Sequence, residues 1–156
     1  MIKVLFICLG NICRSPMAEA YFKNLVNQAG LTDKFMIDSA GTSNWNEGKV
    51  PHEGTQKKLI ENNLSFQGMH SRQITETDFN QFDYIVAMDA QNIIDLENIQ
   101  KKTTYAKMVK LMDFVGSESI KDIPDPYYTG DFDQTYQLIE AGCQALLKFI
   151  RTDQQI

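Results

Sequence analysis

Near the amino terminus, Cys8-Leu9-Gly10-Asn11-Ile12-Cys13-Arg14-Ser15 brings together the residue types needed to bind and attack a tetrahedral anion. Arg14 offers a planar fork that matches two oxygens of a phosphate or carboxylate. A tight loop containing Gly10 turns successive backbone N–H groups inward as an anion nest. A helix opening at Ser15-Pro16 would add unpaired N–H groups and a positive dipole end. The same field favours a thiolate at Cys8, because cysteines in such surroundings have pKa values of roughly 3.5–7.5 against about 8.5 when free. Ser15 is placed to give that sulfur a hydroxyl hydrogen bond. Donors that hold a dianion also stabilise the charge on its equatorial oxygens during transfer. The chemistry implied is nucleophilic phosphoryl transfer through Cys8.

Other uses of these residues fit less well. A lone cysteine at a strand end is ordinarily a small buried hydrophobe. Here it stands in register with an arginine, a serine and a helix start. A metal site is disfavoured, because Cys8 and Cys13 lack the C-x₂-C spacing and bring no histidine nearby. The G-x₄-G-K-[ST] pattern of a nucleotide-binding loop is absent from the sequence.

The elements that must position this loop are legible from hydrophobic periodicity. Residues 2–7 form a short apolar run rich in β-branched side chains, the pattern of a strand buried on both faces. Ser15 then reads as the N-cap and Pro16 as the first position of a helix. That helix carries Ala18, Tyr21, Phe22, Leu25 and Val26 on one stripe and stops at Gly30. Strands are predicted over 35–39, ended by Gly41, and over 84–88, closed by Asp89. Helices are predicted over 55–63 and 90–100, and residues 107–115 are assigned to a fourth strand and its exit. Asp131 and Gln134 resemble a capping box. Beyond it Phe132, Tyr136, Ile139, Cys143, Leu146 and Ile150 recur at helical spacing, so Cys143 reads as core.

Alternating strands and helices of these lengths imply one α/β domain over residues 1–156. The expected architecture has three layers, a central four-stranded parallel sheet flanked by helices in the flavodoxin-like or Rossmann-like manner. Ligands in such folds bind beyond the carboxyl ends of the strands. Cys8, Asp89 and Asp125 are expected at that edge.

Composition sets outer bounds. The chain has 156 residues, 43% hydrophobic and 22% charged, as in ordinary globular domains. Fifteen basic against 20 acidic residues give a net charge of −5, a field that repels nucleic acid and anionic lipid alike. Neither is therefore expected as a partner. No stretch has the ~18 apolar residues needed to cross a bilayer, and no secretory leader is visible. Three cysteines are an odd number, better read as free thiols in a reducing compartment. The cytoplasm is the expected location.

Residues 8–20, Cys-Leu-Gly-Asn-Ile-Cys-Arg-Ser-Pro-Met-Ala-Glu-Ala, resemble the signature of the low-molecular-weight protein tyrosine phosphatases. The likeness continues through Asp38-Ser39-Ala40-Gly41-Thr42-Ser43 with Trp45, through residues 82–89, and through Asp125-Pro126-Tyr127-Tyr128. The resemblance implies hydrolysis of phosphotyrosine through a phosphocysteine at Cys8, with Arg14 binding the phosphoryl oxygens and no cofactor or metal. Leu9, Gly10, Asn11, Ile12, Cys13 and Ser15 would complete the phosphate-binding loop. Phosphotyrosine-containing proteins would be the substrates, and inorganic phosphate and other oxyanions the inhibitors. Asp125 lies between prolines that stiffen its backbone. By residue type alone it is a turn residue; by resemblance it is the general acid, and later the base that activates water. A carboxyl facing a bound dianion is expected to retain its proton to higher pH. Trp45, Tyr127 and Tyr128 would wall a pocket deep enough to favour a phenyl ring, and Ser39 and Asn11 would brace the loop. Asp89 has two readings, a partner for Arg14 or a cap for the following helix. Cys13 has two as well: packing, or, by resemblance, a redox partner for Cys8.

One departure stands out. Many members of the family carry a histidine three residues before the arginine at Arg72, helping to hold the loop asparagine; here that position is Met69, with His70 displaced by one. Neither His70 nor His52 is expected to act in catalysis. Three rival functions remain to be weighed. Arsenate reduction on the same scaffold needs additional thiols around residues 80–90, and none is present there. Phosphoarginine phosphatases tend to place Thr where Ile12 stands. An anion-binding module without chemistry would not need Cys8, Arg14 and Asp125 together.

Overall fold

The computed structural model of the chain describes residues 1–102, 104, 106–116 and 120–156. Ile2–Cys8 (β1), Phe35–Gly41 (β2), Tyr84–Ala87 (β3) and Lys107–Lys110 (β4) pair in parallel in the order β2-β1-β3-β4. β1 is central, and Val4, Leu5, Phe6 and Ile7 have no exposed surface. Because side chains alternate across a strand, this one run feeds two cores. Val4 and Phe6, with Tyr84 and Val86, pack beneath Arg14–Gln28 (α1) and Phe132–Asp153 (α6). Leu5 and Ile7, with Ile85 and Ala87, pack beneath Asp78–Gln81 (α3) and Ala90–Ile99 (α4). Glu53–Glu61 (α2) lies beside α1 and α6. The expected three-layer α/β architecture is the one observed.

The stripe expected on the last helix is its docking face. Ile139, Cys143, Leu146 and Ile150 are wholly buried, each large aliphatic contributing about 1.5–3 kcal/mol by its removal from water. At the other end of the first connection, α1 closes with Gly30 at φ 71°. Its N–H bonds Asn27 O and the N–H of Leu31 bonds Val26 O, the paired closure that favours a residue without Cβ.

Some boundaries differ from the sequence-based expectation, each for a local reason. Ser15 is not the N-cap of α1; Cys13 is, and the helix already includes Arg14. The Ser15 hydroxyl is committed to Cys8 and Asn11 instead. α2 starts at Glu53, two residues early, because His52 Nδ1 accepts the Gly54 N–H at 3.0 Å and caps it. β4 ends at Lys110, where the Asp113 carboxylate accepts the Lys110 N–H at 2.9 Å and tightens Leu111–Phe114 into a 3₁₀ turn. Only half of the capping box forms: Asp131 Oδ1 accepts from Gln134 N–H, but the Asp131 N–H donates to Thr129 Oγ1.

Strand order places the site. The chain passes from β1 to β2 on one side and resumes with β3 on the other, so the connections diverge beyond the carboxyl ends of β1 and β3. Cys8 is the last residue of β1, and Asp89 lies two residues beyond β3. Among the described residues no helix is long and apolar enough to cross a membrane.

Candidate active site

The loop after β1 is tied down by its carbonyls. Cys8 O accepts the Thr42 N–H, Leu9 O the Ser43 N–H and hydroxyl, and Ile12 O the His52 N–H at 2.7 Å. Gly10 O accepts the Ser71 hydroxyl at 3.0 Å, and Cys13 O accepts the Thr55 hydroxyl at 3.1 Å. In a planar trans peptide the N–H points opposite to the C=O. Five carbonyls anchored outward therefore turn the N–H groups of Leu9, Gly10, Asn11, Cys13 and Arg14 toward the loop's centre. The nest inferred from composition is thus held from outside, largely by residues of the 42–55 segment and Ser71. The end of β2 approaches so closely that a Cβ on Gly41 would stand 2.8 Å from Leu9 O, a distance only glycine avoids.

Cys8 lies at the bottom, 3% exposed. Its Sγ receives the Asn11 N–H at 3.2 Å and lies 3.0 Å from Ser15 Oγ. Asn11 adopts φ 54°, left-handed for a residue with a side chain, a conformation asparagine tolerates better than most. Its amide is fully engaged: Nδ2 donates to Ser15 Oγ at 2.7 Å and Ser39 Oγ at 3.0 Å, and Oδ1 accepts the Arg72 N–H at 3.0 Å. The backbone of Arg72 thus supports the loop asparagine where Met69 offers no donor. His70 is exposed and its Nδ1 bonds within its own turn, to Gly68 O.

Arg14 is 2% exposed yet charged. Nη1 donates to Asp89 Oδ2 at 2.6 Å and to Ile123 O at 2.8 Å, while Nη2 donates to Asp125 Oδ2 at 3.3 Å. Burial opposes the charge, but the Cys8 thiolate, Asp89 and Asp125 outweigh it and raise the guanidinium above its ordinary value. Of five N–H donors, three are spent. Nε, which has no acceptor among the described residues, and the second hydrogen of Nη2 remain, and together they form one side of the fork. Both readings of Asp89 are met at once, since its Oδ1 also accepts the Asn92 N–H at 2.7 Å and caps α4.

Asp125 stands in extended backbone at the start of Pro126–Thr129 (α5), where Oδ1 accepts the Tyr127 N–H at 3.0 Å. With Cys8, Leu9, Gly10, Ile12 and Cys13 it lines a cavity of about 230 Å³ whose rim is Trp45, Asn46, Tyr127 and Tyr128. Trp45 is 69% exposed, so it is a wall residue and no part of the core. Tyr127 and Tyr128 meet edge to face at 5.3 Å, and the His52 ring backs Tyr127 from one side while stacking on Phe132 from the other. His52 therefore supports the loop and its wall, a role that spacing did not signal. Ser71, Arg72 and Thr55 were equally silent, because their contacts come from segments distant in sequence.

The remaining thiols are of another kind. Burial first, then the charge of Cys8, pushes Cys13 up to about 12. Cys143 is raised by burial alone. All three cysteines are free.

A sulfur presented to phosphorus inside a ring of amides, at the carboxyl edge of a parallel sheet, is the arrangement of a cysteine-dependent phosphatase. A family model described as low molecular weight phosphotyrosine protein phosphatase matches residues 3–156. The chain is 50% identical over 158 residues to the low molecular weight protein-tyrosine-phosphatase YfkJ of Bacillus subtilis, with all of both chains covered. The crystal structure of YfkJ superposes with a TM-score of 0.95, covering 98% of this chain and 96% of that one. PtpA of Staphylococcus aureus, of the same description, is 42% identical over 153 residues, 98% of this chain and 96% of its own. A Drosophila arginine phosphatase is 36% identical in structure-based comparison, with a TM-score of 0.90, 96% of this chain and 98% of that chain covered. The chain belongs to the low-molecular-weight protein tyrosine phosphatases.

Proposed function

We propose that the chain hydrolyses phosphotyrosine in proteins by way of a phosphocysteine on Cys8. The supporting observation is one cavity that holds Cys8 at its floor, Asp125 on its side and Trp45, Tyr127 and Tyr128 at its rim. The Cys8 thiolate attacks phosphorus while the bond from phosphorus to the phenolic oxygen breaks. The free side of the Arg14 fork and the loop amides take the charge of the three remaining oxygens. Asp125 gives its proton to the departing phenolic oxygen. Water then attacks phosphorus, Asp125 takes its proton, and the S–P bond breaks to release inorganic phosphate and restore the thiolate. The cycle balances with water alone. Phosphate, vanadate and related oxyanions are competitive inhibitors at the same cradle, and a reducing compartment, the cytoplasm, keeps Cys8 usable.

Phosphoarginine is the second substrate to weigh, because a structural neighbour carries that activity in its name. Ile12 lines the cavity floor, and its branched apolar side chain gives a guanidinium no acceptor while accepting the face of a phenyl ring. A panel of phosphotyrosine, phosphoserine and phosphoarginine peptides is expected to show kcat/KM highest for phosphotyrosine. A preference for phosphoarginine would transfer the chain to that rival.

The acid role has its own signature. Asp125→Ala is expected to lower kcat for aryl phosphates with poor leaving groups by about 10²–10³-fold, the range of a positioned general acid, and much less for p-nitrophenyl phosphate under single-turnover conditions. Equal slowing of both would remove Asp125 from that role.

A further inference from the structure

The loop asparagine is the centre of a hydrogen-bonded chain that continues past Ser39 to a carboxylate on the first helix. Glu19 is 5% exposed. Its Oε1 accepts the Ser39 hydroxyl at 2.6 Å, and its Oε2 lies 2.5 Å from Lys23 Nζ. We propose that Glu19 is a positioning residue for catalysis: through Ser39 and Asn11 it holds the Ser15 hydroxyl in the orientation that donates to Cys8. The proposal rests on Cys8 being the nucleophile.

The direction of each bond follows from donor and acceptor counts. A carboxylate has no hydrogen to give, so the single Ser39 O–H is committed to Glu19. The Ser39 oxygen then accepts from Asn11 Nδ2. Asn11 cannot turn over, because its Oδ1 is held by a backbone N–H, that of Arg72. Its second Nδ2 hydrogen goes to Ser15 Oγ at 2.7 Å. Ser15 Oγ, already an acceptor, keeps its own hydrogen for Cys8 Sγ at 3.0 Å. The bonds therefore diverge from the Asn11 amide, one arm ending on the sulfur through Ser15 and the other on the Glu19 carboxylate through Ser39. Ser15 and Ser39 are 0% and 6% exposed and Asn11 is 3% exposed, so the links lie within the folded chain. Charge-assisted bonds are roughly twice as strong as neutral ones, so the bond to Glu19 fixes Ser39 and, through it, the plane of the Asn11 amide.

Thiol reactivity tests this independently of any phosphate ester. The rate of Cys8 alkylation by iodoacetamide is measured at about pH 6, where an ordinary thiol is almost wholly protonated. Glu19→Ala is expected to slow alkylation about tenfold, as for the loss of one hydrogen bond to a charged group, with a similar fall in kcat/KM. Glu19→Gln, whose amide oxygen still accepts from Ser39, is expected to restore most of the rate. It also serves if the alanine variant folds poorly. In a Ser15→Ala background the same Glu19 substitutions are expected to change alkylation less than about twofold, because the coupling runs through that hydroxyl. Equal losses with and without Ser15, or unchanged alkylation in both Glu19 variants, would overturn the proposal. A substrate panel that failed to show phosphotyrosine hydrolysis would leave this readout standing, so the two failures are distinguishable.

Discussion

Cys8→Ser is expected to abolish turnover, lowering kcat for p-nitrophenyl phosphate by at least about 10⁴-fold, while inorganic phosphate still binds. The reason lies in what surrounds position 8. Among the described residues the sulfur is served by donors: the Asn11 N–H at 3.2 Å and the Ser15 hydroxyl at 3.0 Å. Donors stabilise an anion that is already formed, but they cannot remove a proton from an alcohol. A serine here would face two donors, the Asn11 N–H and the Ser15 hydroxyl, neither of which can take its proton. Binding follows the opposite logic. The loop amides and the Arg14 fork do not change, and a negative charge that repels a dianion is gone. At about 4 Å and an effective dielectric of 20, two unit charges repel by roughly 4 kcal/mol before screening, so phosphate affinity is retained or increased. Titration calorimetry with phosphate and a discontinuous phosphate-release assay measure both sides. Residual turnover above about one per cent, beyond the error such assays carry, would mean that another group delivers the attack.

Much of this was legible in the linear sequence because short-range patterns and local chemistry coincide at the loop. The 2–7 run, the loop and the helix that follows are contiguous, so strand, nest and dipole could be read from one stretch. The stripe from Ile139 to Ile150 was likewise readable, since helical periodicity survives over about three turns. The short helices α3 and α5 were not, because four residues are too few for any period to register. α5 has a consequence for chemistry. It makes Asp125 an N-cap, so one carboxylate oxygen is held by the Tyr127 N–H while the other faces Arg14. The prolines on either side signalled stiffness, but not that the stiffness serves to aim a carboxyl.

What the sequence could not reveal is how the nest stays open. Its carbonyls are tied by Thr42, Ser43, His52, Thr55 and Ser71, which lie 34 to 61 positions from the atoms they bond in the hydrogen bonds of Ser43 and Ser71. Side-chain hydroxyls and loop amides of this type are common everywhere, and no spacing rule singles them out. The displaced histidine is instructive for the same reason. Met69 left the loop asparagine without its expected partner, and the replacement is a backbone N–H, a group every residue but proline possesses. The Ser15 assignment failed through competition of the opposite kind. Serine before proline is an ordinary helix cap, but the thiol and Asn11 claim the hydroxyl first.

Arg14→Lys is expected to lower kcat/KM by about 10²–10⁴-fold, with both kcat and KM affected. Arg14 is not a loose surface cation free to follow its ligand. Two hydrogens of Nη1 are fixed on Asp89 and Ile123 O at 2.6 and 2.8 Å, and one of Nη2 is turned to Asp125 at 3.3 Å. These bonds hold the plane of the guanidinium, leaving the Nε edge for two phosphoryl oxygens. An ammonium retains the charge but has three tetrahedral hydrogens, and satisfying Asp89, Ile123 O and Asp125 as Arg14 does would leave none for the phosphoryl oxygens. The loss in the transition state is therefore about two hydrogen bonds to charged groups, each worth roughly 1.5–3 kcal/mol, which converts to the stated range at 1.4 kcal/mol per tenfold. Because a buried charge that loses its partners also destabilises the fold, the melting temperature of Arg14→Lys is compared with that of Asp89→Asn, which disturbs the same pair while keeping the fork. A lysine variant that is folded and within tenfold of the parent in kcat/KM would show that charge alone suffices. The bidentate edge would then have no part in the mechanism.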